Sequence, residues 1–532
     1  MINAAVSRVL RAKFELGLFE HPYADPDSAA FWNGNAQHRA LAREAARAGI
    51  VLLRNEGSVL PLARTTKSIA VIGADAIEAR LGGYSGPGIN RVSIVDGIRE
   101  ALGPAAAVHL ARGPGRVSPE YLVVPASQLS STTDGKVTPG WRGEYFDNNR
   151  LEGAPRLIRI DPRIDFGWTL NTPGRGIPYD WYSVRWSGTL AAPASGVSRL
   201  GVEGNDGYRL YLDGRLLIDR WHKQSYGHRL VAVNLKGGSR HEVRLEYFES
   251  TGNARVKLVW DAGVADWRPA IDSAVRAAQL SAVAVVVAGI EEGEFRDRSS
   301  LALPGHQEEL IQRVAATGKP VIVVLVGGSA ITMSPWLDRV AAVIDVWYPG
   351  EEGGHAVADV LLGDANPAGR LPITFPMAEG QLPLVYNHKS TGRGDDYLDG
   401  TGQPLFPFGF GLSYTTFEYS GLAITPAEIG VRDSAVVRLR VQNSGARAGD
   451  EVVQLYLHDV LASVSQPLIR LAAFTRIALA PGEAREVIFT LGLEQLQLLD
   501  RDLHWVVEPG AFLVMVGASS KDIRLRGELV VR

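Results

Sequence analysis

An acidic segment that follows a strongly apolar run contains residues suited to acid–base chemistry. Residues 287–305 read VAGIEEGEFRDRSSLALPG, so three glutamates and an Arg-Asp-Arg cluster follow the run directly. In open α/β sheets, functional side chains lie just past the carboxyl ends of the parallel strands. Desolvation would raise the pKa of such a glutamate toward neutrality, whereas a nearby guanidinium would lower it. Charge alone therefore does not separate Glu291, Glu292 and Glu294, and a solvated charged loop is the alternative interpretation.

Other groupings of potentially reactive residues are less informative. GHQEE (305–309) and GEEGGHA (350–356) place histidine near glutamate, but neither has the His-x-x-x-His spacing of metal ligands. We therefore predict structural roles for His306 and His355. The chain contains no cysteine, which excludes disulfides, thiolate catalysis and cysteine zinc sites. The sequence predicts no metal and no cofactor.

The elements around the acidic segment indicate an α/β layer. Short, continuous apolar runs bounded by glycine or proline recur along the chain, at 68–73, 106–111, 282–290, 320–328 and 341–350. Helix-like stretches such as 36–56 and 306–318 lie between or before them. Strands that are buried on both faces and alternate with amphipathic helices are typical of a mostly parallel sheet. We predict an α/β sandwich formed by residues 36–137 and 263–402.

Two all-β regions interrupt and follow this layer. Residues 138–262 contain aromatic-rich, alternating segments, with Asp213-Gly214 as a hairpin turn, which predicts an inserted β-sandwich. Residues 403–532 contain several alternating strands separated by turns, which predicts a C-terminal immunoglobulin-like β-sandwich. The fold class is thus α/β plus all-β.

Composition and charge exclude several classes of function. A length of 532 residues predicts about three domains. The net charge of −3 gives no indication of a nucleic-acid partner. No apolar stretch reaches the roughly 18–20 residues of a membrane span, and charged residues interrupt the amino-terminal stretch, which is unlike a signal peptide. We expect a cytoplasmic location by default, or a periplasmic or secreted one if a further segment precedes Met1.

Several long motifs resemble family 3 glycoside hydrolases, in the same order along nearly the whole chain. They are AREAARAGIVLLRNEGSVLPL (42–62), SIAVIGADA (68–76), GGYSGPG (82–88), GIEEGEFRDRSSLALPGHQEELI (289–311), VWYPGEEGGHAVADVLLGDANPAGRLPITFP (346–376) and FPFGFGLSYTTFEYS (406–420). The resemblance implies a retaining, exo-acting hydrolase of β-linked glucosides or xylosides with a fibronectin type III-like domain at its carboxyl end. It also implies that Glu294, four residues before Arg298, is the general acid/base. The family's usual Glu-Gly is Glu294-Phe295 here, and Arg298 is a candidate for contact with the sugar.

The inserted region resembles a protective-antigen-type β-sandwich. The resemblance rests on WRGEYFDN (141–148), EGNDGYRLYLDGRLLID (203–219), EVRLEYFES (242–250) and KLVWD (257–261). Related lectin domains hold calcium with paired aspartates where this chain has Asn205-Asp206, so we predict no calcium site. Trp221 is a candidate for stacking on a sugar, as are Trp181 and Trp186, although aromatic residues in such sandwiches are more often core residues.

The second carboxylate of a retaining glycosidase is missing from the recognised motifs. In family 3 the nucleophile is an Asp in a Ser-Asp-Trp-like motif of a (β/α)₈ barrel, and that motif does not occur here. The string Ile344-Asp345-Val346-Trp347 belongs to a buried strand instead. Residues 1–35 resemble the exit helix and linker of the barrel, which would explain the apolar stripe formed by Ile2, Val6, Val9 and Leu10.

Three interpretations follow for the activity of the chain. It is part of a longer β-glycosidase, one subunit of a split enzyme whose barrel is a separate chain, or a non-catalytic protein that binds β-linked oligosaccharides. A purely structural or adhesive role is the alternative from another class. In the first two cases we expect the chain alone to be inactive.

Overall fold

A computed structural model of the protein describes residues 1–23, 25–117, 119–133, 135–168, 171–293, 297–391 and 396–532. The chain divides into two compact units, one formed by residues 1–118 and 267–532 and the other by residues 119–266. The second unit begins before residue 138, the boundary predicted from sequence, because three short strands at 122–139 pair with strands of that unit.

The first unit contains the predicted α/β layer. Its six-stranded sheet has the order Val51–Asn55, Ala342–Asp345, Val321–Val326, Val283–Gly289, Ser68–Ile72 and Ala107–Ala111. All neighbours are parallel except the edge strand Val51–Asn55. Alternate residues of the central strand enter different cores: Val283, Val285 and Val287 pack on one face, and Ala284, Val286 and Ala288 on the other. Burial on both faces explains why these strands are continuous apolar runs.

Helices cover the two faces of this sheet. The α-helices of the described residues are Ile2–Glu15, Pro26–Trp32, Ala36–Gly49, Ile94–Leu102, Arg268–Gln279, Gln307–Ala315, Gly353–Leu362 and Leu493–Leu496. The Asn35 side chain caps the third helix by accepting a 2.8 Å hydrogen bond from the His38 amide. Helix Ile2–Glu15 ends two residues before Gly17, as the sequence predicts, and none of its residues is buried. No helix of the described residues has the length and apolar character needed to cross a bilayer.

The second unit consists of two β-sheets around one core. One sheet contains the strands Arg215–Arg220, Gly207–Leu212, Arg240–Glu249, Tyr182–Ala191, Leu129–Thr133, Lys136–Pro139, Trp141–Phe146 and Leu157–Asp161. The other contains Gly227–Leu235, Gly196–Gly204, Arg255–Trp260, Leu122–Val123 and Asp165–Gly167. Asp213 and Gly214 form the predicted hairpin turn, with φ of 49° and 76°.

The carboxyl-terminal part of the first unit is a β-sandwich, as predicted. One sheet contains Phe417–Thr425, Ala435–Asn443 and Ala484–Leu491, and the other contains Glu428–Ile429, Ile523–Val531, Gly510–Gly517, Gly449–Asp459 and Arg470–Leu479. A short hairpin joins Leu498–Leu499 to Trp505–Val506. Alternate residues of both sheets form one apolar core, which accounts for the period-two pattern of the sequence.

Candidate functional site

The candidate site lies at the carboxyl ends of four adjacent parallel strands. Glu291, Glu292 and Gly293 follow strand Val283–Gly289, whose last residue is fixed by the buried Gln307 side chain. Gln307 Oε1 accepts a hydrogen bond from the Gly289 amide, and its Nε2 donates to the Gly289 carbonyl, each at 2.8 Å. The strand therefore ends at a defined point, directly before the acidic segment.

Glu292 is hydrogen-bonded to the loops that follow two neighbouring strands. The Gly328 amide donates to Glu292 Oε2 at 2.6 Å, and the Tyr348 hydroxyl donates to the same oxygen at 3.1 Å. The Ser329 hydroxyl donates to Glu292 Oε1. Gly328 and Ser329 follow strand Val321–Val326, and Tyr348 follows strand Ala342–Asp345. One carboxylate thus holds three strand ends together.

Two glycines allow this close approach. A Cβ on Gly328 would lie 2.8 Å from Glu292 Oε2. A Cβ on Gly83, in the loop after strand Ser68–Ile72, would lie 2.1 Å from the Glu292 carbonyl oxygen. The absence of a side chain at both positions is therefore a requirement of the packing around Glu292.

Arg298, four residues after Glu294 in the sequence, contacts the side chains around Glu292. Its Nη2 donates to Ser329 Oγ at 2.8 Å and lies 3.9 Å from Glu292 Oε1. These are contacts within the protein, and a contact of Arg298 with a sugar stays a prediction. Glu294 itself lies outside the described residues, in the segment between Gly293 and Asp297.

A cavity of about 470 Å³ borders the acidic segment. Its lining consists of two glycine-rich loops and two arginines, formed by Arg80, Leu81, Gly82, Gly83, Ser85, Gly86, Pro87, Arg91, Glu291, Glu292 and Gly293. The Arg80 guanidinium donates to the Ile290 carbonyl at 2.5 Å, which ties this wall to the end of the strand. Its volume lies in the range of small-molecule sites.

Two buried aspartates lie behind this surface. Asp75 is 2% exposed and forms ion pairs with Arg80 and Arg116; burial raises its pKa, while the two guanidiniums act in the opposite direction. Asp345 is 3% exposed, and burial, with a smaller contribution from Glu292, raises its pKa to about 7. The sequence analysis did not identify Asp75 as a candidate. Asp75 nevertheless follows a buried apolar run, as the acidic segment does.

Comparisons with known proteins agree with this architecture. Residues 50–414 match the glycosyl hydrolase family 3 C-terminal domain, and residues 451–520 match a fibronectin type III-like domain. The chain belongs to glycosyl hydrolase family 3. The predicted resemblance to the family and to its fibronectin type III-like domain is confirmed.

Curated relatives in family 3 include enzymes for glucosides and xylosides. The chain is 33% identical to a β-glucosidase of Rhizobium radiobacter, covering 98% of this chain and 66% of the relative. It is 30% identical to a β-xylosidase of Formosa agariphila, covering 98% of this chain and 54% of the relative. The chain therefore spans between about half and two thirds of the length of these relatives.

Solved structures of family 3 enzymes share the fold. A β-glucosidase from Erythrobacter marinus superposes with a TM-score of 0.67 at 29% identity, covering 99% of this chain and 54% of that one. A β-glucosidase from Kluyveromyces marxianus, solved in complex with glucose, gives a TM-score of 0.59 at 28% identity, covering 94% and 62%.

The tryptophans of the inserted unit differ in their surroundings. Trp186 is fully buried, and its Nε1 donates to Asp161 Oδ2 at 2.7 Å, so it is a core residue rather than a candidate for sugar stacking. Trp181 is 56% exposed. The Trp221 ring is half-buried, with the Arg209 guanidinium 4.2 Å from its centroid and the Phe248 ring edge-on at 4.9 Å. A contact between Trp221 and a sugar stays a prediction.

The Asn205-Asp206 turn is held by contacts within the unit. The Asp206 carboxylate accepts hydrogen bonds from the Ser250 amide at 2.6 Å and the Ser250 hydroxyl at 2.8 Å. The Asn205 side chain accepts from the Arg255 amide at 2.7 Å. These groups hold the turn that joins strands Gly196–Gly204 and Gly207–Leu212.

His306 and His355 each contact side chains of the α/β layer. The His306 ring stacks on Trp267 with a centroid separation of 3.8 Å. His355 lies between Glu352 and Glu100, at 2.5 Å and 2.8 Å. Both side chains connect elements of the α/β layer, in agreement with the roles predicted from sequence.

Proposed function

We propose that this chain carries the acid/base residue of a retaining, exo-acting β-glycosidase, and that this residue is Glu294. The proposal rests on the contacts of the acidic segment. Glu292 is hydrogen-bonded to the ends of two neighbouring strands, Gly293 lines the cavity, and Arg298 donates a hydrogen bond to Ser329. These residues flank Glu294 in the sequence on both sides. A proton donor in such a position acts on the leaving oxygen of a sugar bound against the loop.

The contacts of Glu292 favour Glu294 over Glu292 as the acid. Both oxygens of Glu292 accept hydrogen bonds from groups of the protein. Three donors of the protein therefore hold this carboxylate against the neighbouring strand ends. Glu291 lines the cavity, but it has no counterpart in the family motif that Glu294 matches.

The nucleophile, in this proposal, is supplied from outside the 532 residues. A retaining glycosidase needs two carboxyl groups about 5–5.5 Å apart. Asp345 is not a candidate, because it is 3% exposed at the end of a central strand. The partner carboxylate would come from a (β/α)₈ barrel, in a longer polypeptide or in a separate chain.

The amino-terminal helices offer a surface for that barrel. Large apolar side chains are exposed along residues 1–32, namely Ile2, Val6, Val9, Leu10, Phe14, Leu16, Leu18, Phe19, Tyr23, Phe31 and Trp32. Exposed apolar side chains in this number are typical of a surface that a partner covers. We propose that it packs against the barrel, which brings the nucleophile to the cavity lined by Glu291, Glu292 and Gly293.

The proposed substrate is a β-linked glucoside or xyloside, the substrates named for the relatives. A non-catalytic protein that binds such saccharides is the second candidate, because the family's nucleophile motif is absent from this sequence.

The test is hydrolysis of aryl β-glucosides and β-xylosides by the chain alone and after addition of a family 3 barrel. We expect negligible turnover alone and turnover with the barrel, which Glu294→Gln lowers most for poor leaving groups. Robust turnover by the chain alone would contradict the proposal. Saccharide binding without turnover in any assembly would favour the second candidate.

A further inference from the structure

Glu292 occupies the point at which loops from four adjacent strands meet, only two residues before Glu294. Its side chain accepts hydrogen bonds from the loops after strands Val321–Val326 and Ala342–Asp345. The loop after strand Ser68–Ile72 packs against its backbone through Gly83. Its own segment continues strand Val283–Gly289. No other described carboxylate in the site has this set of partners.

The donors around Glu292 are well suited to hold a carboxylate. Burial and the neighbouring Glu292 raise the pKa of Tyr348, so its hydroxyl keeps its proton and donates. The Gly328 amide is a fixed backbone donor, and Ser329 is itself held by Arg298 at 2.8 Å. The carboxylate is therefore the shared acceptor of a network of protein donors.

We propose that Glu292 is a positioning residue that fixes the loop carrying Glu294. This inference rests on the function proposed for Glu294. An acid/base must be held within about 0.5 Å of its productive position to be effective. Glu292 supplies this restraint by tying the start of the loop to neighbouring strand ends, and Arg298 supplies a second tie after it.

The first test measures amide hydrogen exchange on the chain itself, so it needs no turnover. The variants are Glu292→Gln, Ser329→Ala and the double variant, with Glu483→Gln as a matched control. Glu483 also accepts from a backbone amide (Ala480, 2.8 Å) and pairs with an arginine (Arg485, 2.9 Å), but in a remote turn.

In Glu292→Gln we expect exchange at residues 291–293 and 327–329 to accelerate about tenfold to hundredfold, the factor for losing a hydrogen bond to a charged group. The double variant should exchange no faster than Glu292→Gln, because both changes break one network. Glu483→Gln should leave these amides unchanged. Unchanged exchange in Glu292→Gln would overturn the proposal.

The second test compares kinetics in an assembly that hydrolyses aryl β-glucosides. Glu292→Gln should lower kcat for 4-nitrophenyl and phenyl β-glucosides with little change in KM, and by a smaller factor than Glu294→Gln for the phenyl glucoside, because it misplaces the acid without removing it. Glu294→Gln should lower kcat far more for the phenyl glucoside. A loss in Glu292→Gln that matches or exceeds the loss in Glu294→Gln for the phenyl glucoside would identify Glu292 as the acid, and an unchanged kcat would refute positioning. Absence of turnover in every assembly would reject the role of Glu294 and the catalytic part of this inference, while exchange would still decide whether Glu292 anchors the loop.

Discussion

Replacement of Asp345 by asparagine should change how the stability of the protein depends on pH. Asp345 is 3% exposed, and burial raises its pKa from 3.8 to about 7. Its Oδ1 accepts a 3.0 Å hydrogen bond from the Trp347 amide, which an asparagine oxygen also accepts. The variant therefore keeps this contact and removes the titrating group.

The direction in which stability changes with pH follows from how many protons the folded and unfolded states bind. Between about pH 4 and 7 the folded protein holds the Asp345 proton while the unfolded chain has released it, so the stability contributed by Asp345 falls as pH rises through this range. The pKa of Asp345 differs by roughly three pH units between the unfolded and folded states, which corresponds to about 4 kcal/mol of stability. This stability is fully lost above about pH 8. Below pH 4 both states are protonated, so this contribution is at its full value and no longer varies with pH.

Urea unfolding of wild type and Asp345→Asn from pH 4 to pH 8.5 measures this effect. We expect Asp345→Asn to gain about 3–4 kcal/mol relative to wild type between the two ends of the range. Asp338→Asn is the matched control, because its carboxylate is 93% exposed, and it should change stability by less than about 0.5 kcal/mol. A pH-independent difference for Asp345→Asn would refute the reasoning.

Two further substitutions test the packing of the site and of the inserted unit. Gly328→Ala should lower the free energy of unfolding in urea by about 1–3 kcal/mol, because the new Cβ would lie 2.8 Å from Glu292 Oε2. Gly49→Ala is the control, because a Cβ at Gly49 would have no atom within 4 Å. Equal stabilities of the two variants would contradict the packing described around Glu292. Trp186→Phe should lower the thermal stability of the inserted unit by about 2–4 kcal/mol, because it removes buried volume and the bond to Asp161. Trp181→Phe is the control at a 56% exposed site and should change the stability of the inserted unit by less than about 0.5 kcal/mol. A loss of stability in Trp181→Phe as large as in Trp186→Phe would argue against a core role specific to Trp186.

The strand ends around Glu292 and the amino-terminal helix differ in burial. The strand ends around Glu292 belong to the central sheet, whose residues are buried on both faces. The amino-terminal helix Ile2–Glu15 has no buried residue. The proposed function uses this contrast: the strand ends around Glu292 are buried within the chain, and the exposed apolar side chains of the helix are available to a partner domain.

The sequence by itself determined the layer architecture and the family. Continuous apolar runs such as 282–290 predict strands buried on both faces, and alternating segments such as 435–443 predict sandwich strands. Both patterns are local, because each residue's burial follows from its position in its own element. The family motifs are also local strings, so the likeness to family 3 and the acidic segment after strand Val283–Gly289 were readable without a structure.

Only the tertiary structure decided what the individual acidic and aromatic residues do. Glu292 differs from its neighbours because Ser329 and Tyr348, 37 and 56 residues further along the chain, donate to it. Trp186 became a core residue through the packing of elements distant in sequence. Sheet order sets these contacts, and no local periodicity encodes sheet order, so the chemistry of each side chain depends on neighbours that the sequence pattern does not specify.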